Sequence, residues 1–169
     1  MNTFMCFDIE AYENNKNHIL EVGLSLLDVA AKTCSTRHFI VEENMHMRNG
    51  RYVSDNRDNF SHGESEIIKL GDLIDFLDLL VLYTDGLVGH ALPNDIKFFN
   101  NMGVQIHEDV VKYDTQSIAK EFFGNQRRLD VVYEHYCDKE LENAHNAGND
   151  SHATGEIFLR QLDLGLVKL

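Results

Sequence analysis

Four carboxylates and one histidine stand where side chains from separate segments could converge. In "FDIEAY" (7–12), Asp8 and Glu10 are two residues apart on a stretch that reads as a strand. Side chains at that spacing share one face. Two acids on one face of an otherwise apolar strand are costly unless they are paired or bind a metal. In "VGHALPNDIKFF" (88–99), Asp95 falls in the first turn of a helix, with His90 and Asn94 before it and Phe98 and Phe99 after it. In "HNAGNDSHAT" (145–154), His145 precedes a helix and Asp150 falls in its first turn, with Asn146 or Asn149 as the cap. Gly148 would let the chain turn back at that point. Carboxylates are hard oxygen ligands suited to Mg²⁺ or Mn²⁺. Two such ions about 4 Å apart would serve an in-line phosphodiester displacement. A neutral imidazole nearby could take the proton from the attacking water. Each residue also has a plainer use: Asp8 and Glu10 in a solvated turn, Asp95 facing a helix dipole, His145 at the surface or capping.

The segments that would carry these residues alternate in type. "FMCFDIEAY" (4–12), "HILEVGLSLLDV" (18–29) and "TRHFIVEE" (36–43) read as three strands joined by short polar turns, an antiparallel meander. Residues 44–66 are polar and irregular and read as a long loop. Residues 70–84 place Leu70, Leu73, Ile74, Leu77, Leu80 and Val81 at helical spacing. A short buried strand at 86–92 precedes a helix at 93–103, with Pro93 at its start and Gly103 past its end. A strand at 110–115, two helices in "TQSIAKEFFG" and "RRLDVVYEHYC", and a last helix over 149–162 complete the order. Ala153, Ile157 and Leu162 would form the core stripe of that last helix. Three meander strands followed by alternating strands and helices give an α/β fold with a mixed sheet, in ribonuclease-H-like order.

Length points to a single domain over residues 1–169, large enough to bury a core without disulfide or metal staples. Cys6, Cys34 and Cys137 are few and widely spaced, which suits structural thiols in a reducing, intracellular compartment, cytoplasm or nucleus. The N-terminal stretch has no basic region and soon reaches the acids Asp8 and Glu10, so no signal peptide is expected, and no apolar run is long enough for a membrane helix. The net charge of −13 disfavours a broad phosphate-tracking surface, because that needs many Lys and Arg. It leaves room for an enzyme that grips a short nucleic acid end through metal ions. Arg48, Arg51 and Arg57 in the long loop, and Arg127-Arg128, could grip phosphates or simply be solvated. Tyr52 and Phe60 in the loop could stack on bases. Zinc at His145 and His152 would lack a matching Cys pair.

"FDIEAY", "VGHALPNDIKFF", "KYDTQSIAK" and "HNAGNDSHAT" occur in that order over residues 4–162. Together they resemble the DEDDh family of 3′→5′ exonucleases, which have the ribonuclease-H-like fold. Within it, the form H-N-A-G-N-D is similar to the Gfd2-like group, fungal and related eukaryotic relatives of an Argonaute-interacting exonuclease. The resemblance implies two Mg²⁺ or Mn²⁺ ions. Asp8 would bridge both, Glu10 and Asp150 would hold the water-activating one, and Asp95 the second. His145 would be the general base. Where the family has Thr or Ser after the D-x-E, this chain has Ala11, so a backbone amide would contact the 3′ end. Ala91 replaces a common Asn, and His90 would be either an accessory residue of the site or a buried histidine. The implied substrate is single-stranded or short RNA or DNA with a free 3′ end, RNA preferred, cleaved to nucleoside 5′-monophosphates. A homodimer and a protein partner are both compatible with it, and no membrane is. Two other classes stay open: a catalytically silent nuclease-like module that binds nucleic acid or protein, and a two-metal hydrolase of small nucleotides.

Overall fold

The computed structural model describes residues 3–169. Strands β1 (Thr3–Ala11), β2 (Ile19–Asp28) and β3 (Thr33–Val41) form the antiparallel meander. A 3-10 turn (Glu42–Asn44) and a long segment lead to β4 (Ser65–Ile68). Then come α1 (Leu70–Tyr83), β5 (Gly86–Gly89), α2 (Leu92–Met102), β6 (Val111–Asp114), α3 (Thr115–Phe123), α4 (Leu129–Cys137) and α5 (Ala147–Asp163). The sheet order is β4-β3-β2-β1-β5-β6, and β5 runs parallel to both β1 and β6. This is the mixed, ribonuclease-H-like sheet that the order of segments implied, with β1 at its centre.

The alternation of β1 divides the core. Met5, Phe7, Ile9 and Ala11 pack on one face with Leu73, Leu77 and Val81 of α1 and Phe99 of α2. The Phe7 and Phe99 rings stack with centroids 4.2 Å apart. Phe4 and Cys6 point to the other face, where they meet Leu27, Val88 and Phe158 of α5. The next two positions of that second row are Asp8 and Glu10. The strand therefore delivers its acids onto the face covered by α5, where burial needs a compensating partner.

Three elements differ from the sequence reading. Residues 44–66 are not loop throughout, since Ser65 and Glu66 begin β4, which pairs in parallel with β3 through His38–Val41. A four-residue edge strand with Ile67 exposed has no burial pattern to read; the free edge of β3 supplies its hydrogen bonds. The strand read over 86–92 stops at Gly89, and α2 begins at Leu92. Helix α5 begins at Ala147, two residues before the expected start, because Asn146 is the cap and its side chain accepts the N–H of Asn149.

Gly148 does not make the turn assigned to it. It lies inside the first turn of α5, and a Cβ there would come within 2.8 Å of the Cβ of His38 and 2.6 Å of the Phe60 ring. Its small size lets α5 approach the sheet. Gly23, directly opposite Asp8 in the ladder, does the same from β2: a Cβ there would sit 1.7 Å from the carbonyl oxygen of Ala147. The backbone of the α5 N-terminus thus rests on the backbone of β2 beside the acidic end of β1. All three cysteines are free thiols, with Cys6 fully buried.

Candidate active site

The five expected residues come from three elements and one turn. Asp8 and Glu10 lie on the α5-facing side of β1, opposite Gly23 and Glu21 of β2. Asp95 is buried in the first turn of α2. That turn is set by Ala91, whose φ of 61° is left-handed, and whose N–H is accepted by Asp114 Oδ1 at 3.0 Å. Asp150 is buried in the first turn of α5. His145 precedes it with φ 65°, and Asn143 has φ 52°. Two left-handed residues in three reverse the chain there, so the reversal lies at Asn143 and His145 rather than at the glycine. The backbone N–H of His145 donates to Asp150 Oδ2 at 3.0 Å, and its Nδ1 lies 3.5 Å from Glu10 Oε1. The five-residue spacing of His145 and Asp150 is the size of this closed turn.

The electrostatics are those of acids forced together. Burial, then the charges of Asp150, Asp95 and Glu10, raise Asp8 well above the usual carboxylate range. Burial lifts Asp95 to about 8 and Asp150 to about 7, and Glu10 adds to both. Glu10 is raised by burial, and the His145 hydrogen bond opposes that rise. The same hydrogen bond raises His145 against the opposing effect of its burial. Asp8 Oδ2 and Asp150 Oδ1 are buried without any hydrogen-bond partner. Buried carboxylate oxygens without partners are expensive, and a divalent cation would satisfy them. Ligand atoms of Glu10, His145 and Asp150 all lie within 4.8 Å of one another. The donor set is rich in hard oxygens, which fits Mg²⁺ or Mn²⁺ better than zinc. A crevice of about 240 Å³ opens beside the cluster, lined by Arg128, Leu129, Leu141, Ala144, His145 and Asp150 among others.

The remaining candidates take other places. Both ring nitrogens of His90 are used: Nδ1 meets Thr115 Oγ1 at 2.9 Å and Nε2 meets the Arg127 carbonyl at 3.0 Å. His90 therefore ties the end of β5 to α3 and to the turn before α4. Asn94 is exposed on α2, and Ala11 is buried with its carbonyl accepting from Asn49. Among the loop arginines, Arg48 is paired with Asp55 and Asp58, and Arg57 is buried with its guanidinium on the Met45 and Met47 carbonyls. Phe60 packs on His38, whereas Tyr52 is exposed.

Sequence reasoning missed Glu21. It is buried opposite Glu10, and its Oε2 lies 3.0 Å from His38 Nε2 and accepts the N–H of Ala147 at 3.2 Å. Its charge helps to raise Asp8, Glu10 and Asp150. The available signal was one acid in the apolar run "ILEVGLSLL". Asp114 was also missed; it caps α3 through Gln116 N–H while holding Ala91.

Comparison with known proteins bears on the family and the fold. An uncharacterized nucleolar protein of Schizosaccharomyces pombe is 33% identical over 92% of this chain and 67% of its own length. The Good for full DBP5 activity protein 2 of Saccharomyces cerevisiae is 28% identical over 97% of this chain, which spans only 36% of that protein. Exonuclease I matches in structure with a TM-score of 0.69 at 13% identity, over 96% of this chain and 41% of that one. The Neurospora crassa Pan2 catalytic unit, a protease and nuclease domain, matches with a TM-score of 0.65 at 13% identity, over 96% of this chain and 27% of that one. At such identities the two structures speak to the fold alone. The family model described as DNA polymerase III subunit epsilon-like, C-terminal domain, matches residues 3–161. By that match the chain belongs to the DEDDh family, and it carries the ribonuclease-H-like fold of that family's exonucleases.

Proposed function

We propose that this protein is a metal-dependent 3′→5′ exonuclease that shortens single-stranded or short nucleic acid ends, RNA ahead of DNA, to nucleoside 5′-monophosphates. One observation carries the reading: ligand atoms of Glu10, His145 and Asp150 lie within 4.8 Å of one another, and Asp8 and Asp150 each bury a carboxylate oxygen without a partner. Asp8, Glu10 and Asp150 would hold one Mg²⁺ or Mn²⁺, and Asp8 with Asp95 the second. Bound there, the pair supplies Lewis-acid stabilisation of the attacking and leaving oxygens.

The chain's own residues do the rest. With Nδ1–H directed at Glu10 Oε1, the Nε2 lone pair of His145 is the one able to accept a proton from water. The His145 side chain is 48% exposed, so it can meet solvent and substrate while its backbone is fixed by Asp150. Ala11 packs its side chain on the far face of β1 from the acids, so only its backbone amide would contact the 3′ end, exposed Asn94 would be a second contact, and His90 holds the β5 end through Thr115. The acidic chain favours short substrates, or a partner that delivers them, over tight nonspecific binding. The nucleolar relative supports a nuclear location.

The test is product analysis on 3′- and 5′-labelled RNA and DNA with Mg²⁺, Mn²⁺ or EDTA. Stepwise loss from the 3′ end, faster on RNA and absent in EDTA, is expected. Asp8→Ala and His145→Ala should abolish cleavage while the domain stays folded. Full activity in either purified variant would overturn the mechanism, and no cleavage by the parent chain would favour the silent binding module.

A further inference from the structure

Residues 45–64 contain no strand or helix, yet both ends of the segment are fastened to the candidate site. At the β1 end, the Glu13 carboxylate accepts the N–H groups of Arg51, Tyr52 and Val53 at 3.0, 2.9 and 3.1 Å. Those backbone bonds hold Glu13 below the usual carboxylate range. Asn49 accepts the Glu13 N–H and donates to the Ala11 carbonyl, one residue past Glu10.

The other end is fastened to the turn that carries His145. Asn56 Nδ2 donates to the Ala144 carbonyl at 2.7 Å. Asn146 Nδ2 donates back to the carbonyls of Asn56 and Arg57 at 3.0 and 3.1 Å. Asn149 accepts the Ser61 N–H and donates to the Asn59 carbonyl, both at 2.9 Å. Asn146 and Asn149 are buried, and both belong to the H-N-A-G-N-D stretch. Between its ends the segment is stiffened internally by Arg57 and by the Arg48 ion pairs.

Ala144 lies between two left-handed residues, Asn143 and His145. A non-glycine residue in that conformation costs about 1–2 kcal/mol, and it persists only when its surroundings hold it. We propose that residues 45–64 are a brace joining the D-x-E strand to the histidine turn, and that Asn56 is a positioning residue that sets His145 against Glu10. The kinetic part rests on the exonuclease reading; the structural part does not.

The experiment uses the full chain as parent, Asn56→Ala and Asn56→Gln. Amide exchange followed by NMR in the metal-free protein reads the His145 N–H that donates to Asp150. In Asn56→Ala it should exchange about tenfold faster, with β1 and β2 amides unchanged, because the opening is local. In the same variant kcat should fall by about 10- to 100-fold, with KM for a single-stranded RNA oligonucleotide unchanged. Asn56→Gln keeps a donor and should recover part of both. Unchanged His145 exchange, or a uniform loss of protection through the sheet, would overturn the brace. An inactive parent would sink the exonuclease reading instead, and the exchange data would still decide the brace.

Discussion

Asp150→Asn should make the metal-free protein more stable while destroying its metal response. Burial and the Glu10 charge lift Asp150 from 3.8 to about 7. The folded state therefore keeps a proton that the unfolded state gives up. Stability on account of this group is full below 3.8, falls as pH rises through about 7, and is flat above. At 1.36 kcal/mol per pKa unit, this shift costs the folded state about 4 kcal/mol at pH 8, where the carboxyl ionises, and about 2 at pH 5.5, where it keeps a proton that the unfolded chain releases. Asparagine removes that charge and can still accept the His145 N–H, but its amide group must find a partner, at a cost of about 1–3 kcal/mol. A net gain of about 1–3 kcal/mol at pH 8 follows, which for a chain of this size is a Tm rise of roughly 3–10 °C. Thermal melts in EDTA at pH 8 and pH 5.5, then with Mg²⁺ or Mn²⁺, measure it. The gain should fall by about 2 kcal/mol at the lower pH and so nearly vanish there, because the amide cost does not change with pH. The Tm increase that metal gives the parent should largely vanish in the variant, because binding to the native state alone is what raises Tm. A variant no more stable than the parent in EDTA at pH 8, or a gain independent of pH, would refute this account of the acidic cluster.

Three other outcomes are expected. Ala91→Gly relieves the left-handed residue before α2 and should add about 0.5–1 kcal/mol in urea unfolding without changing activity. Gly23→Ala drives a Cβ to 1.7 Å from the Ala147 carbonyl oxygen, so α5 must shift; stability should drop by about 1–3 kcal/mol or more, and cleavage by about 100-fold. Glu21→Gln keeps an acceptor for Ala147 and a partner for His38 but removes a charge facing Asp8, Glu10 and Asp150. Mn²⁺ affinity by calorimetry should fall several-fold with the fold intact, and unchanged affinity would exclude an electrostatic role for Glu21.

The sequence alone determined the elements and the acids they carry. Period-two alternation in β1 put Asp8 and Glu10 on one face, and helical periodicity put Asp95 and Asp150 in first turns next to apolar stripes. Those are local properties, fixed by spacing along the chain. Four things required the tertiary structure. Edge strand β4 has no burial pattern of its own and exists because β3 offers a free edge. Glu21 became part of the site only through the β1–β2 register that sets it opposite Glu10. The glycine of H-N-A-G-N-D looked like a turn former from its neighbours, but its size serves packing against His38 and Phe60, residues distant in sequence. The two asparagines of that stretch are the clearest case. One could be read as a helix cap, but their bonds to Asn56, Asn59 and Ser61 join segments about 90 residues apart. Spacing along a chain reports which face a side chain takes; only the folded backbone decides which distant carbonyl it finds there.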